Sequence, residues 1–190
     1  MEAPSKPLMP QSLDPVRVLQ LPQAAFYIPN FITEEEEQYI LDKIASAPKP
    51  RWKQLSRRRL QTWPSALINN KLVDASLPSW LEEPIITRLR SLHVGEEADP
   101  QQHIFSKSPH KRPNHVLINE YPPGIGIMPH KDGSAYHPIV CTIYTQIIFT
   151  ALATSRKTSI SRNGQSRIGL YWDRVPHSTT AVMYVKHVLV

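Results

Sequence analysis

The chain has 190 residues, 41% of them hydrophobic, and a formal net charge of +6 at pH 7. This length and apolar content predict one folded domain and exclude a disordered chain. The single cysteine, Cys141, excludes an intramolecular disulfide framework and favours a reducing compartment, so we expect a protein of the nucleus and cytoplasm. No apolar stretch reaches the roughly 18 residues of a transmembrane helix, so we expect no membrane association.

The first third of the chain predicts a tail, a strand and a helix. Residues 1–15 lack the apolar core of a signal peptide and are interpreted as a flexible tail. A short strand is predicted over Pro22–Ile28. A helix is predicted from Thr33 through Ala47, and Thr33 and Glu36 have the spacing of a capping box at its start.

The next segments predict a hairpin, a broken helix and a loop. Trp52–Trp63 is a candidate hairpin with a basic tip, and Leu77–Leu92 carries apolar residues at helical spacing. Pro84 lies inside that second segment, so the helix either begins there or kinks. Val94–Pro113 is polar and contains Gly95 and three prolines, which predicts a long surface loop.

The most informative pattern lies in the middle of the chain. His115–Tyr121 alternates as a strand does, and prolines and a glycine follow it. Asn119 and Tyr121 are two residues apart and therefore share one face of that strand. His130 and Asp132 have the same spacing, which makes them candidate ligands of a 2-His-1-carboxylate iron site with open coordination positions.

Together these residues form the pattern Asn119-x-Tyr121-x-Pro123-Gly124, with His130-x-Asp132 beginning six positions after the glycine. This pattern resembles the signature of the AlkB family of iron(II)/2-oxoglutarate-dependent dioxygenases. The resemblance continues upstream and covers roughly Val16 to Ile143. It is similar to the eukaryotic branch that contains the sixth human AlkB homologue. The upstream matches lie in Phe26–Glu37, Ala47–Ser56 and Arg59–Trp63.

The resemblance implies a fold and an activity. The fold class would be α+β and mainly β, a double-stranded β-helix (jelly roll) with flanking N-terminal helices and altered or missing last strands. The activity would use dioxygen and 2-oxoglutarate to oxidise N-alkyl groups on DNA or RNA bases, which are then lost as aldehydes. We expect a monomer.

The resemblance also implies roles for individual residues. His130 and Asp132 would bind Fe(II) together with a distal histidine, for which His177 is the candidate, with His187 as a second. Asn119 and Tyr121 would bind 2-oxoglutarate. A further group, in a lid over the substrate nucleotide, would contact nucleic acid: Arg57, Arg58 and Arg59.

The resemblance fades after Ile143, so we divide the chain into the tail 1–15, the AlkB-like domain 16–143 and a divergent segment 144–190. That last segment holds six basic residues and one acidic residue. No arginine follows Arg174, so the paired arginines expected after the distal histidine are absent, and Lys186 is the cation that remains. Ala153–Gln165 is rich in Ser, Thr and Arg and is interpreted as flexible.

Two interpretations of the divergent segment stay open. In the first, Thr180–Val190 is a terminal strand that completes the fold, as its β-branched content favours. In the second, residues from Tyr144 onward are foreign to the fold, and exposed sheet edges make the product insoluble or inactive. The alternatives to a nucleic-acid dealkylase are therefore a non-catalytic relative that at most binds nucleic acid, and a dioxygenase acting on protein.

Overall fold

The computed structural model of the chain describes residues 7–20, 25–73, 75–95, 102–123, 125, 127, 130, 132–146, 158–162 and 180–186. Its centre is one seven-stranded antiparallel sheet with the strand order β1-β6-β5-β7-β4-β3-β2. The strands are β1 (Ala25–Tyr27), β2 (Lys53–Gln54), β3 (Arg59–Trp63), β4 (His115–Tyr121), β5 (Ile139–Gln146), β6 (Thr158–Arg162) and β7 (Thr180–Lys186).

Strand β4 gives the sheet its two distinct faces. Val116 and Ile118 are fully buried and belong to the main hydrophobic core, together with Ile139, Cys141 and Ile143 of β5. Because side chains alternate along a strand, the other face of β4 carries His115, Leu117, Asn119 and Tyr121. The predicted strand over His115–Tyr121 is therefore confirmed, and one of its faces is available for a site.

Strand β7 lies between two strands that are consecutive in sequence. Position 182 of β7 pairs with Asn119 of β4 on one side and with Tyr144 of β5 on the other. The prediction of a strand within Thr180–Val190 is confirmed for Thr180–Lys186. Without β7, the facing edges of β4 and β5 would lack their hydrogen-bond partners, so this segment is integral to the sheet.

Strand β6 corrects one expectation. Ala153–Gln165 was interpreted as flexible, but Thr158–Arg162 within it is a strand that pairs with β1 and with β5. Ladder hydrogen bonds on both sides override the weak local signal of a Ser/Thr-rich sequence. The two strands β6 and β7 favour the first interpretation of the divergent segment over the second.

Helix α1 (Glu34–Ala45) begins at the predicted capping box. The Thr33 hydroxyl accepts from the backbone N–H of Glu36 at 3.1 Å, and the Glu36 carboxylate accepts from the N–H of Thr33 at 2.8 Å. The same carboxylate receives two hydrogen bonds from Arg88, at 2.6 and 2.5 Å. Glu36 thus fixes the start of α1 and ties this helix to the second helical segment.

The second helical segment is broken at its proline, as predicted. It consists of α2 (Ser79–Leu81), a wider turn over Glu82–Ile86 and α3 (Thr87–Arg90), and Glu83 within the turn has the extended values φ −116° and ψ 125°. A residue that precedes proline is driven out of the helical region by the proline ring. The apolar side chains at four-residue spacing are fully buried: Leu81, Ile85 and Leu89.

Two boundaries differ from the expectations. Within the predicted surface loop Val94–Pro113, residues 102–113 form turns that bury Ile104 and Phe105, because an apolar pair beside the helices is anchored in the core. Within the predicted tail 1–15, Leu13 is 1% exposed and its N–H donates to the carbonyl of His93 at 2.9 Å. The packed domain therefore begins ahead of Val16.

The described residues form one antiparallel sheet with helices against one face, an α+β arrangement that is consistent with a jelly-roll fold. Cys141 is fully buried in β5, and burial raises the pKa of its thiol, as suits an unreactive core residue. None of the helices within the described residues has the length and apolarity needed to cross a membrane.

We predict that Met183→Pro destabilises the protein. Position 183 lies on a strand with neighbours on both sides, so proline removes an N–H that donates within the sheet. The carbonyl that loses its donor should cost about 1–3 kcal/mol, seen as a lower urea midpoint. Met183→Leu keeps the N–H and is the control. Equal midpoints for the two variants would show that β7 does not occupy the centre of the sheet.

Candidate functional site

The candidate site lies on the face of β4 that points away from the helices. Tyr121 is 2% exposed there and packs against Leu117 of the same strand and Tyr144 of β5. Burial raises the pKa of the Tyr144 phenol, and the neighbouring Tyr121 raises it further. The Tyr144 phenol therefore stays protonated at neutral pH and can donate a hydrogen bond.

Asn119 lies on the same face, and an arginine from the hairpin holds it. Arg58 Nε donates to Asn119 Oδ1 at 2.7 Å, and Asn119 is 4% exposed. Because an arginine nitrogen can only donate, the amide oxygen is the atom that faces Arg58. The amide NH₂ of Asn119 therefore remains a donor.

The hairpin with a basic tip is confirmed, and its three arginines point in different directions. Arg59 forms two hydrogen bonds with the carboxylate of Glu120, at 2.6 and 2.7 Å, and its guanidinium lies 4.2 Å from the ring centroid of Trp52. The hydrogen bond and the charge of Glu120 raise the pKa of Arg59. Arg57 is exposed and Arg58 faces Asn119. Contact of these three arginines with nucleic acid stays a prediction.

His130 and Asp132 face each other, as their spacing predicts. His130 Nε2 lies 4.0 Å from Asp132 Oδ1, with the two side chains 49% and 23% exposed. Two adjacent ligands at about 2.1 Å from one octahedral ion lie about 3 Å apart, so these two atoms would approach each other by about 1 Å to share an ion. Within the ranges that the structure describes, no cluster of three or more candidate ligands occurs. His177 and His187 lie outside those ranges.

A hydrogen-bonded chain ties the segment after Asp132 to the sheet. His115 Nε2 lies 3.0 Å from the carbonyl oxygen of Ser65, which can only accept, so this nitrogen carries the proton. In the neutral imidazole, Nδ1 then accepts from the Tyr136 hydroxyl at 3.3 Å. The two rings also stack, with centroids 5.8 Å apart. His115, the first residue of β4, thereby holds Tyr136 in position.

Tyr136 in turn lies close to Asp132. The Tyr136 N–H donates to the carbonyl of Gly133 at 3.1 Å, which closes a turn directly after Asp132. Burial raises the pKa of Tyr136 to about 12, with a further contribution from the Asp132 charge. Tyr136 is therefore a hydrogen-bond donor at neutral pH and links the candidate metal ligand Asp132 to the sheet.

The sequence analysis did not identify His115 or Tyr136 as residues of the candidate site. His115 could have been found, because it follows the two-residue alternation that led to Asn119 and Tyr121. Tyr136 carried no signal, since its contact with His115 depends on how the intervening chain returns to the sheet.

Comparison with known proteins supports the resemblance to the AlkB family. No family model matches the chain. Over 127 residues, 66% of its length, the chain is 44% identical to a protein of Danio rerio named "Probable RNA/DNA demethylase ALKBH6". The resemblance to the AlkB family is confirmed. The match covers 48% of the Danio rerio protein, so the AlkB-like chain spans about half the length of that relative.

We predict that Tyr136→Phe weakens both folding and metal binding. The variant leaves the buried Nδ1 of His115 without this donor, which should lower the free energy of unfolding by about 1 kcal/mol. Because the same bond positions the turn after Asp132, affinity for Mn²⁺ should fall roughly 10-fold. Tyr39→Phe, at a side chain 47% exposed, is the control for both measurements. Unchanged Mn²⁺ affinity in Tyr136→Phe would contradict the positioning role.

Proposed function

We propose that the AlkB-like chain is an iron(II)/2-oxoglutarate-dependent dioxygenase that removes alkyl groups from nucleic-acid bases. One observation carries the proposal: His130 Nε2 and Asp132 Oδ1 face each other at 4.0 Å. The burial of Asn119 and Tyr121 on one face of β4 agrees with it. The Danio rerio relative is named as a probable RNA/DNA demethylase, which supports the substrate class.

The donor atoms at the proposed metal site suit Fe(II). An imidazole and a carboxylate are two of the three ligands in a 2-His-1-carboxylate site, which leaves positions open for a co-substrate and dioxygen. Tyr136, placed by His115, would hold the Asp132 turn in position. His177 is the proposed third ligand.

The polar groups on β4 suit 2-oxoglutarate. The amide NH₂ of Asn119 and the phenol of Tyr121 can both donate to carboxylate oxygens. Both side chains are almost fully buried, and hydrogen bonds to a charged group are stronger where water is excluded. When bound, the iron and 2-oxoglutarate supply the oxidising chemistry, and these residues orient the co-substrate.

The proposed nucleic-acid surface lies on the β2–β3 hairpin. Arg57 at its tip is exposed and can contact a phosphate, while Arg59 holds the hairpin to Glu120 of β4. A target base must leave the stack to reach a metal held in the protein. In this proposal β6 and β7 belong with residues 16–143 in one double-stranded β-helix. The second sheet of that fold remains a prediction. So do a nuclear and cytoplasmic location and a monomeric state.

We predict that His130→Ala abolishes co-substrate turnover. The purified chain, with Fe²⁺, ascorbate and 2-oxoglutarate, should form succinate, and the variant should lose at least about 100-fold because it lacks a metal ligand. His110→Ala removes an exposed histidine and should leave turnover unchanged.

The same assay decides between the alternatives. Release of formaldehyde from an N-methylated oligonucleotide supports the proposed dealkylase, whereas succinate formation stimulated by peptides alone supports a dioxygenase acting on protein. Soluble chain that forms no succinate and binds no Mn²⁺ would mean that it keeps the fold of the family without its chemistry.

A further inference from the structure

We propose that Ser56, at the tip of the β2–β3 hairpin, is a phosphorylation site for a serine kinase that recognises basic residues, and that its phosphate weakens nucleic-acid binding by the hairpin. The part that concerns nucleic acid rests on the proposed function. The juxtaposition that carries the proposal is an exposed serine between two exposed cations, Lys53 three residues before it and Arg57 directly after it.

The turn of the hairpin presents Ser56 to solvent. The N–H of Leu55 donates to the carbonyl of Arg58 at 2.8 Å, so Ser56 and Arg57 are the two residues at the centre of the turn. Both are exposed. Among the residues that the structure describes, the Ser56 hydroxyl has no hydrogen-bond partner. It can therefore enter the active site of a second protein without giving up a contact of its own.

The charges around Ser56 suit recognition by an acidic groove. The β2–β3 hairpin carries four cations and no acidic residue. Two of the cations are engaged by β4: Glu120 pairs with Arg59 at 2.6 Å, and an amide oxygen accepts from Arg58. Lys53 and Arg57 are left as exposed charges on the two sides of the serine. Carboxylates of a kinase groove can pair with cations at these fixed distances from the target, which gives selectivity.

The edge of the sheet can open to let a kinase bind. Strand β2 is the last strand in the sheet order and pairs only with β3, through two residues. Both of these residues, Lys53 and Gln54, are exposed. A short edge segment without buried side chains opens at little cost in free energy. Opening of β2 frees the chain on the amino side of Ser56, while β3 stays paired with β4.

Other serines beside basic residues lack this combination. The hydroxyls of Ser91 and Ser46 donate to carbonyls of their own helices, at 2.8 and 3.2 Å. Arg88, the cation three residues before Ser91, is 5% exposed. Ser159 follows two basic residues but lies in β6, whose backbone is paired on both sides. Ser56 is therefore the site that the described part of the chain favours.

The phosphoryl transfer would proceed with ATP bound to the kinase. The Ser56 oxygen attacks the γ-phosphorus, and a new phosphorus–oxygen bond forms as the bond to the β,γ-bridging oxygen breaks. ADP leaves with that electron pair, and the hydroxyl proton passes to a carboxylate base of the kinase. The phosphoserine carries a charge of about −1.5 to −2 at neutral pH. This charge offsets Lys53 and Arg57, with which phosphates of a nucleic acid would otherwise pair.

The first measurement treats the whole chain with ATP and the catalytic domain of protein kinase C, and locates the phosphate by fragmentation mass spectrometry. We expect phosphate at Ser56, and its loss from that peptide in Ser56→Ala. Lys53→Gln should lower kcat/KM for modification of Ser56 about 2- to 5-fold, as the loss of one exposed ion pair. Ser46→Ala, at another exposed serine, should leave the modification of Ser56 unchanged.

The second measurement is the affinity of the chain for a single-stranded oligonucleotide, by fluorescence anisotropy. Phosphate at Ser56 should weaken binding roughly 10-fold at about 0.1 M salt. The slope of log affinity against log salt should become shallower by about 1.4, because two cations lose contacts worth about 0.7 each.

Two variants control the second measurement. Ser56→Ala treated with the same kinase carries any phosphate placed elsewhere, and its affinity should stay within about 2-fold of that of the untreated chain. Ser56→Asp carries one negative charge, so its affinity should lie between those of the untreated chain and the chain phosphorylated at Ser56.

Each outcome decides a separate point. Treated chain without phosphate at Ser56 would overturn the site. Phosphate at Ser56 with unchanged oligonucleotide affinity would overturn the effect on binding while the proposed function stands. Equal weakening in treated Ser56→Ala would assign the effect to another residue and also overturn it. If the untreated chain binds no oligonucleotide, the proposed nucleic-acid surface fails together with the inferred effect on binding.

Discussion

The hydrogen-bond ladder that joins β4, β7 and β5 is the constraint on which the rest of the structure depends. It fixes which face of β4 meets the helices and which carries the polar side chains, because a shift of one residue would exchange the two sets of side chains. Val116 and Ile118 fill the core on one side, and Asn119 and Tyr121 then have to face the other. The polar site is thus a consequence of the same register that buries the apolar core.

Contacts to β4 position the other functional groups of the candidate site. Arg58 reaches Asn119 from the hairpin, and Tyr136 reaches His115 from the turn that follows Asp132. Arg59 anchors the hairpin through Glu120, with its guanidinium over Trp52. Groups on segments without regular structure are therefore held by a rigid strand, an arrangement that favours precise geometry.

The features that depend on residue spacing alone could be predicted from the sequence. The capping box of α1, the break at Pro84 and the shared face of Asn119 and Tyr121 follow from spacing alone, and the structure agrees with each. The other features depend on pairing between strands that are distant in sequence. Thr158–Arg162 has a weak strand signal and is a strand because it has a partner on each side, and the inward direction of Arg58 depends on the pairing of β3 with β4. No local pattern distinguishes Arg58 from its neighbouring arginines.

A crystal structure of the chain grown with Mn²⁺ and 2-oxoglutarate tests the central claim most directly. The account predicts one metal ion bound by His130 Nε2 and Asp132 Oδ1, with the co-substrate against Asn119 and Tyr121 on the polar face of β4. Metal bound elsewhere, or 2-oxoglutarate absent from that face in crystals that hold the metal, would contradict it.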